Sequence, residues 1–400
     1  MSYLDTLNVK CINELAIREK RVFIRTDFNI PIDEKGVVTD INRIELTLPT
    51  IKHALEHNAR VIIASHSGRP EGGNRDAACS LEPVAAVLAE LLEKEIFFFE
   101  DCVGMGAQQM VRDLKPGHIL VLENLRFSED ERKNSSSFAR ELAKMCDVYI
   151  NDAFGVSHRK EASVYALPQL IDTKGMGFLM KHEIEELSKL IGLKRGDRFY
   201  SIIGGSKIAD KISIIRPMLE VADRIMIGGE MAYTFLAAKG IRLGNSRVEE
   251  DRISVAREII KGAEARGVEL ILPVDHIAAA DINSTETVIC SNSDFPEGMT
   301  AFDIGPETLK LYIAKLEGCR ELFWNGPVGV FEHDQFAKGS IDLARAVVET
   351  KAHTVAGGGE SAALMKKAGV KEKFSHISTG GGASLEFLRN NTLPGIDVLR

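Results

Sequence analysis

No CxxC pair occurs in this chain, and its six cysteines (Cys11, Cys79, Cys102, Cys146, Cys290 and Cys319) are scattered. That spacing offers neither a disulfide framework nor a zinc site and suits buried thiols in a reducing compartment. No run approaches the roughly 20 apolar residues of a membrane span, and the opening MSYLDTLNVKCINEL has no stretch fit for a signal peptide. These absences predict a cytoplasmic protein. A basic excess is missing too: 50 Lys and Arg stand against 58 Asp and Glu, a net charge of −8. A general nucleic-acid binder is disfavoured on that ground, but a small anion held by a local arginine cluster is not. Two phosphate signatures are absent, the G-x-x-x-x-G-K-[ST] loop and a G-x-G-x-x-G after a strand. A Walker-type nucleotidase and an ordinary NAD enzyme are therefore disfavoured. There is no tandem repeat and no compositionally biased segment.

What is present is regular. The 400 residues exceed one ordinary core, so two domains are expected, and the 44% hydrophobic and 27% charged composition is globular. Short β-branched runs alternate with amphipathic stretches. Strands are predicted at 22–25, 61–64, 96–99, 119–122 and 148–151, then at 201–203, 224–227, 269–273, 322–324, 353–356 and 374–377. Helices are predicted between them, for example at 48–57, 82–94, 136–145, 209–221, 253–266 and 341–350. Apolar, unalternating strands separated by helices mean parallel sheets covered on both faces. The expected fold is α/β: two doubly wound, Rossmann-like parallel-sheet domains. Apolar residues at a helical period in GMGFLMKHEIEELSKLIG predict one hinge helix over 175–192. The domains are then 1–174 and 193–386, with a tail at 387–400.

The chemistry gathers at glycines and strand ends. VAGGGESAAL (355–364) reads as a strand end, three glycines and a helix start, and GGG recurs at 380–382. Glycines let a ligand approach the backbone, and the helix start offers free amides and a positive dipole end, a phosphate site. Glu360 puts a carboxylate where an anion would sit, and a Mg²⁺ ion held by that carboxylate and by phosphates would remove the conflict. A single glycine triplet can equally be a plain turn; two in the same strand-to-helix context favour phosphate.

In the first half the residues just beyond the strands are basic: TDFNIP with Asp27 and Asn29, SHSGRP with His66 and Arg69, ENLRF with Arg126, DAFGVSHR with His158 and Arg159. Arg43 follows the Gly36 turn. One such arginine is ordinarily a surface charge. Four at independent strand ends should converge on one cleft and bind carboxylate or phosphate bidentately. Asp27 and Asn29 would fix a hydroxyl or orient the arginines, unless Asp27 serves only its turn. In the second half, SIIGGSKIADKISII adds Lys207 and Lys211, four apart on one helical face if the helix begins near Ser206. IMIGGEMAYTF brings Gly228 and Gly229 to a strand end, and FWNGPVGVFE brings Asn325 and, at its rim, Glu332.

These motifs, with LPVDH, STGGGASLEFL and a terminal LPG, stand in the order of one family. Along essentially its whole length the chain resembles the phosphoglycerate kinases. The resemblance implies reversible in-line phosphoryl transfer between 1,3-bisphosphoglycerate and Mg-ADP, giving 3-phosphoglycerate and Mg-ATP, a step of glycolysis and gluconeogenesis. By motif, Asp27, Phe28, Asn29, Arg43, His66, Ser67, Gly68, Arg69, Arg126 and Arg159 would hold the glycerate ligand on the N-terminal domain. Lys207, Lys211, Gly228, Gly229, Asn325, Glu332, Gly358, Gly359, Glu360 and Ser361 would hold the nucleotide, with Glu360 on the metal. Arg43, Lys211 and Lys207 would neutralise the moving phosphoryl group, with no covalent phosphoenzyme and with closure of the two lobes. The tail would return to the N-terminal domain. Small-molecule substrates are the only partners implied, with no nucleic acid or membrane, and nothing demands more than a monomer. Four positions depart from the family: Ser67 for leucine, Glu161 where histidine or an uncharged residue is usual, Glu230 for a third glycine, and Glu360 for aspartate. An alternative expectation is a two-domain binding protein that has lost turnover through Glu230 and Glu360.

Overall fold

Val22, Phe23 and Ile24 have no exposed surface, so the strand they form, β1 (Arg21–Arg25), is apolar on both faces. Such a strand belongs inside a parallel sheet with helices on either side. β2 (Arg60–Ala64), β3 (Ile96–Phe99), β4 (Ile119–Leu122), β5 (Val148–Asn151) and β6 (Thr173–Met176) complete a six-stranded sheet in the order β3-β4-β2-β1-β5-β6. Every pairing in it is parallel. The chain leaves β1 toward β2 on one side and later crosses to β5 on the other. The sheet therefore reverses its direction of growth between β1 and β5. The computed structural model describes residues 3–33, 36–70, 75–209 and 211–400. It divides into two units, Met1–Ser188 with Asn390–Arg400, and Lys189–Arg389.

The second unit repeats the plan. β7 (Phe199–Ile203), β8 (Arg224–Ile227) and β9 (Glu269–Ile271) grow to one side, after which three short strands intervene. These are β10 (Asp275–Ala279), β11 (Val288–Ser291) and β12 (Thr300–Ile304), a separate antiparallel sheet ordered β11-β10-β12. β13 (Glu321–Asn325), β14 (His353–Gly357) and β15 (His376–Ser378) then extend the main sheet on the other side, giving β15-β14-β13-β7-β8-β9. Its core gathers Ile202, Met226, Tyr312, Leu322, Trp324 and Ala356. Tyr312, buried beside this sheet, donates to Ile227 O at 2.5 Å, so its hydroxyl is not left unsatisfied. Each unit is the doubly wound α/β domain that the alternation of strands and helices predicts.

Two expectations are corrected. The predicted helix 175–192 is a strand followed by a shorter helix, Phe178–Ser188. Gly175 is paired with Ile150 in the sheet, where a Cβ would lie 2.4 Å from Lys10 O. The helix can begin only after Gly177, and the buried carboxylate of Asp152 accepts from the Met180 amide at 3.0 Å in its first turn. The second correction concerns the helix holding Lys207 and Lys211. It spans Ile212–Val221, with Lys211 as its N-cap and Lys207 in the loop before it. The Ile208 amide is taken by Glu249 Oε1 at 2.5 Å, which fixes that loop in a non-helical path. The two lysines thus share no helical face, and Asp210, inside the predicted helix 209–221, lies outside the described residues.

The last eleven residues belong to the first unit. Gly395 N donates to Ser157 O at 2.8 Å, and Asn151 Nδ2 donates to Gly395 O at 3.1 Å. Leu393, Ile396 and Leu399 are buried, worth roughly 1.5–3 kcal/mol each in apolar transfer.

Candidate functional site

In the first unit the site grows from the carboxyl ends of β1, β2, β4 and β5. Arg25, the last residue of β1, points inward with no exposure. A buried guanidinium must be satisfied, and this one donates Nε to Ser163 Oγ at 2.7 Å and Nη1 to the Thr26 carbonyl. Its Nη2 lies 3.6 Å from Glu161 Oε2 and 3.8 Å from Glu131 Oε1. Glu131 is itself buried, accepting from Ser163 N at 2.9 Å, and burial pushes its carboxyl above the ordinary range.

Arg25 Nη2 also meets His66 Nδ1 at 3.4 Å. Arginine can only donate, so Nδ1 accepts and the ring proton sits on Nε2, 3.8 Å from Asp27 Oδ1. His66 is held well below the usual imidazole range, first by burial and then by the fields of Arg25, Arg126, Arg43 and Arg159. It is a neutral donor in a cationic pocket. Arg43 Nη1 reaches Asp27 Oδ1 at 2.7 Å from the first turn of the helix Asn42–Glu56. That helix starts earlier than the 48–57 read from the sequence, because Pro49 is accommodated inside it.

The loop after β2 is held from both sides. Asn29 Oδ1 accepts from Gly68 N at 2.8 Å, and Asn124 Nδ2 donates to Ser67 O at 2.7 Å. Phe28 is fully buried and its amide donates to Ser65 Oγ at 2.8 Å. Arg126 follows Asn124 and donates Nη1 to Gly68 O at 3.0 Å and Nη2 to Glu161 Oε1 at 2.7 Å. Arg159 Nη1 lies 3.8 Å from the same Glu161 oxygen. Arg43, Arg126 and Arg159 are therefore drawn together as the strand-end reading expects. Arg69 is exposed, one residue beyond the Gly68 that Arg126 holds. Arg25, Glu131 and Glu161 complete the cluster; the sequence marks Glu161 as a departure from the family, whereas Arg25 and Glu131 escape it. The available signal was a charged residue closing an otherwise apolar strand, RVFIR.

In the second unit the site lies where the main sheet reverses, between β7 and β13, the position at which doubly wound sheets open a crevice. Gly204 N donates to Asn325 O at 2.9 Å across that point. A Cβ on Gly204 would sit 1.9 Å from Pro327 O, so the two turns meet only with glycine here. Lys211 Nζ donates to Asn325 Oδ1, and Asn325 Nδ2 donates to Gly357 O at 2.7 Å. Ser361 is buried in the same knot, accepting from Gly326 N and donating to Gly357 O, both at 2.9 Å. Gly228 N bonds Ile203 O and Gly229 N bonds Val328 O, each at 2.9 Å. The turns after β7, β8, β13 and β14 are thereby tied into one floor. Gly358, with φ +96°, ends β14 and lets Gly381 approach, where a Cβ would lie 2.7 Å from Gly358 Cα.

Beyond Gly358 the helix Gly359–Lys367 begins, with Glu360 exposed at its second position and open space around Gly359. Lys207 and Glu332 are exposed. Glu230 pairs with Arg247 at 3.5 Å, and burial raises its carboxyl. Among the described residues no group of three or more His, Cys, Asp or Glu could hold a metal. Nor is any helix there long and apolar enough to cross a membrane.

The family model described as phosphoglycerate kinase matches residues 12–391. The phosphoglycerate kinase of Anaeromyxobacter dehalogenans (strain 2CP-C) is 47% identical over 390 residues, covering 97% of this chain and 98% of that protein. That of Clostridium botulinum (strain Alaska E43 / Type E3) is 44% identical over 394 residues, covering 98% and 99%. The solved phosphoglycerate kinase of Coxiella burnetii superposes with a TM-score of 0.86 at 34% identity, covering 98% of each chain. That of Pyrococcus horikoshii OT3 does so with a TM-score of 0.86 at 32% identity, covering 97% of this chain and 98% of the other. With the match running through both units and every motif that builds the two clusters, the chain belongs to the phosphoglycerate kinase family.

Proposed function

We propose that this chain moves a phosphoryl group reversibly between 1,3-bisphosphoglycerate and Mg-ADP, by in-line transfer and without a phosphoenzyme. The observation that carries the reading is the conjunction, in one family member, of an arginine cluster at the reversal point of one sheet and a glycine floor with Lys211 at that of the other. Arg43, Arg126, Arg159, Arg69 and the neutral His66 hold the glycerate ligand's charges, with Asp27, Phe28, Asn29, Ser67 and Gly68 shaping its place. The amides after Gly358 and Gly359, with Gly228, Gly229, Asn325, Ser361, Glu332 and Lys207, hold the nucleotide. Lys211 and Arg43 bring positive charge to the moving phosphoryl group, where most of the catalysis of such transfers lies.

The residues fit a magnesium ion that takes one protein ligand. Glu360 is a single exposed carboxylate at a helix start with open space beside it, and Mg²⁺ is commonly held by one or two carboxylates, phosphates and water. When bound, the ion would neutralise the charge on the nucleotide phosphates. Transfer between ligands held on separate units requires those ligands to be brought together, which also excludes water from an acyl phosphate.

The test is a coupled assay with 3-phosphoglycerate and Mg-ATP. Turnover is expected, and Lys211→Ala should lower kcat by roughly 100-fold or more, the scale of losing a charge aimed at the transition state. No turnover in the unsubstituted protein, or full kcat in Lys211→Ala, would contradict the proposal.

A further inference from the structure

Glu161 is only 4% exposed, yet three guanidiniums surround it. Arg126 Nη2 lies 2.7 Å and Arg159 Nη1 3.8 Å from Oε1, while Arg25 Nη2 lies 3.6 Å from Oε2. That is how a cluster of arginines holds a carboxylate ligand, except that this carboxylate belongs to the chain. The local backbone fixes it: Glu161 caps a rare π-helical turn, Ala162–Ala166, whose Ser163 is gripped by Arg25, Glu131 and Tyr149.

Arg126 makes the consequence specific. It is 3% exposed, and its two terminal nitrogens are both engaged, one by Gly68 O and one by Glu161. Its Nε has no hydrogen-bond partner, so a ligand oxygen can reach the guanidinium there, but only within the field of the Glu161 carboxylate already on Nη2. The Gly68 carbonyl is fixed by the Asn29 and Asn124 hydrogen bonds to its loop. The Glu161 carboxylate has a second cation waiting, since Oε2 accepts no hydrogen bond although Arg25 stands 3.6 Å away.

We propose that Glu161 is a specificity-determining residue of this site: an internal anion that competes with the ligand's carboxylate or phosphate for Arg126 and Arg159, and that shifts onto Arg25 when the ligand binds. The inference depends on the reading that this cluster receives the glycerate ligand. Four guanidiniums (Arg25, Arg43, Arg126, Arg159) face three carboxylates (Asp27, Glu131, Glu161), so removing one carboxylate doubles the cationic surplus from one to two.

Glu161→Gln keeps the volume and an oxygen for Arg126 but removes the charge, and Glu131 remains as a counter-ion for Arg25. The expected result is a KM for 3-phosphoglycerate lowered roughly tenfold, as follows from deleting a competing charge at close range. Inhibition by inorganic sulfate should strengthen in parallel, while the KM for Mg-ATP stays within about twofold. A residue that merely props up the fold would move neither anion in that direction. Glu161→Asp, which keeps the charge but draws it back from Arg126, should lower the 3-phosphoglycerate KM by a smaller factor and covers the case in which the glutamine variant fails to fold. An unchanged or raised KM for 3-phosphoglycerate overturns the inference. If the unsubstituted chain neither turns over nor binds 3-phosphoglycerate, the functional reading fails first. Turnover with an unmoved KM defeats the Glu161 inference alone.

Discussion

At the scale of single residues, charge count matters less than where each charge is held. Arg43 and Arg126 both lie in the cluster, but Arg126 is buried and doubly bonded whereas Arg43 keeps 27% of its side chain exposed beside Asp27. His66 is neutral because it is buried among cations, so it serves as a fixed donor and not as an acid–base group near pH 7. Glu360 presents the opposite case, an exposed carboxylate in the first turn of a helix. Glu360→Ala should raise the KM for Mg-nucleotide by about tenfold, the scale of losing one charged ligand contact, with the 3-phosphoglycerate KM little changed. Steady-state kinetics at varied Mg-ATP checks it, and an unchanged nucleotide KM would remove Glu360 from the site.

At the scale of elements, buried carboxyls pin the helix starts. Asp152, at the end of β5, accepts from the Met180 amide and is fully buried; burial pushes it up to about 7. Asp303 does the same work in the other unit, accepting from Gly339 N at 2.7 Å, and is also pushed up to about 7 by burial. A carboxyl raised in the fold costs nothing below the unfolded-chain pKa of about 4, where both states hold the proton. As pH rises from there to 7 the unfolded chain ionises first, and stability falls by at most roughly 1.4 kcal/mol per pH unit for each group before levelling off. Asp152→Asn, which keeps an acceptor for Met180, should therefore gain stability relative to the unsubstituted chain at pH 8 and little at pH 4. Urea unfolding at the two values reads the difference, and a gain equal at both would contradict the assignment.

The parallel strands were legible because burial on both faces leaves an unalternating apolar run, as in ILVL of β4. β6 was not, since TKGM has no such run and owes its place to a glycine that nothing larger could replace. Likewise β11 exposes Val288 and Ile289 and so presents no period to read. In the site, the cations beyond the strand ends were visible as a pattern of type and position. The inward turn of Arg25 and the ring of arginines around Glu161 depend on tertiary placement, which no local spacing encodes.

At the scale of the whole molecule, each doubly wound sheet changes direction once, the first beside the arginine cluster and the second beside the glycine floor with Lys211. The central claim is that each unit binds its own ligand. Hydrogen–deuterium exchange, followed separately with 3-phosphoglycerate and with Mg-ADP, tests it most directly. The expected result is protection of 26–29, 65–69, 124–127 and 158–163 by 3-phosphoglycerate, and of 204–209, 325–328 and 357–361 by Mg-ADP. Both ligands protecting the same unit, or 3-phosphoglycerate leaving the arginine loops unprotected, would contradict the account.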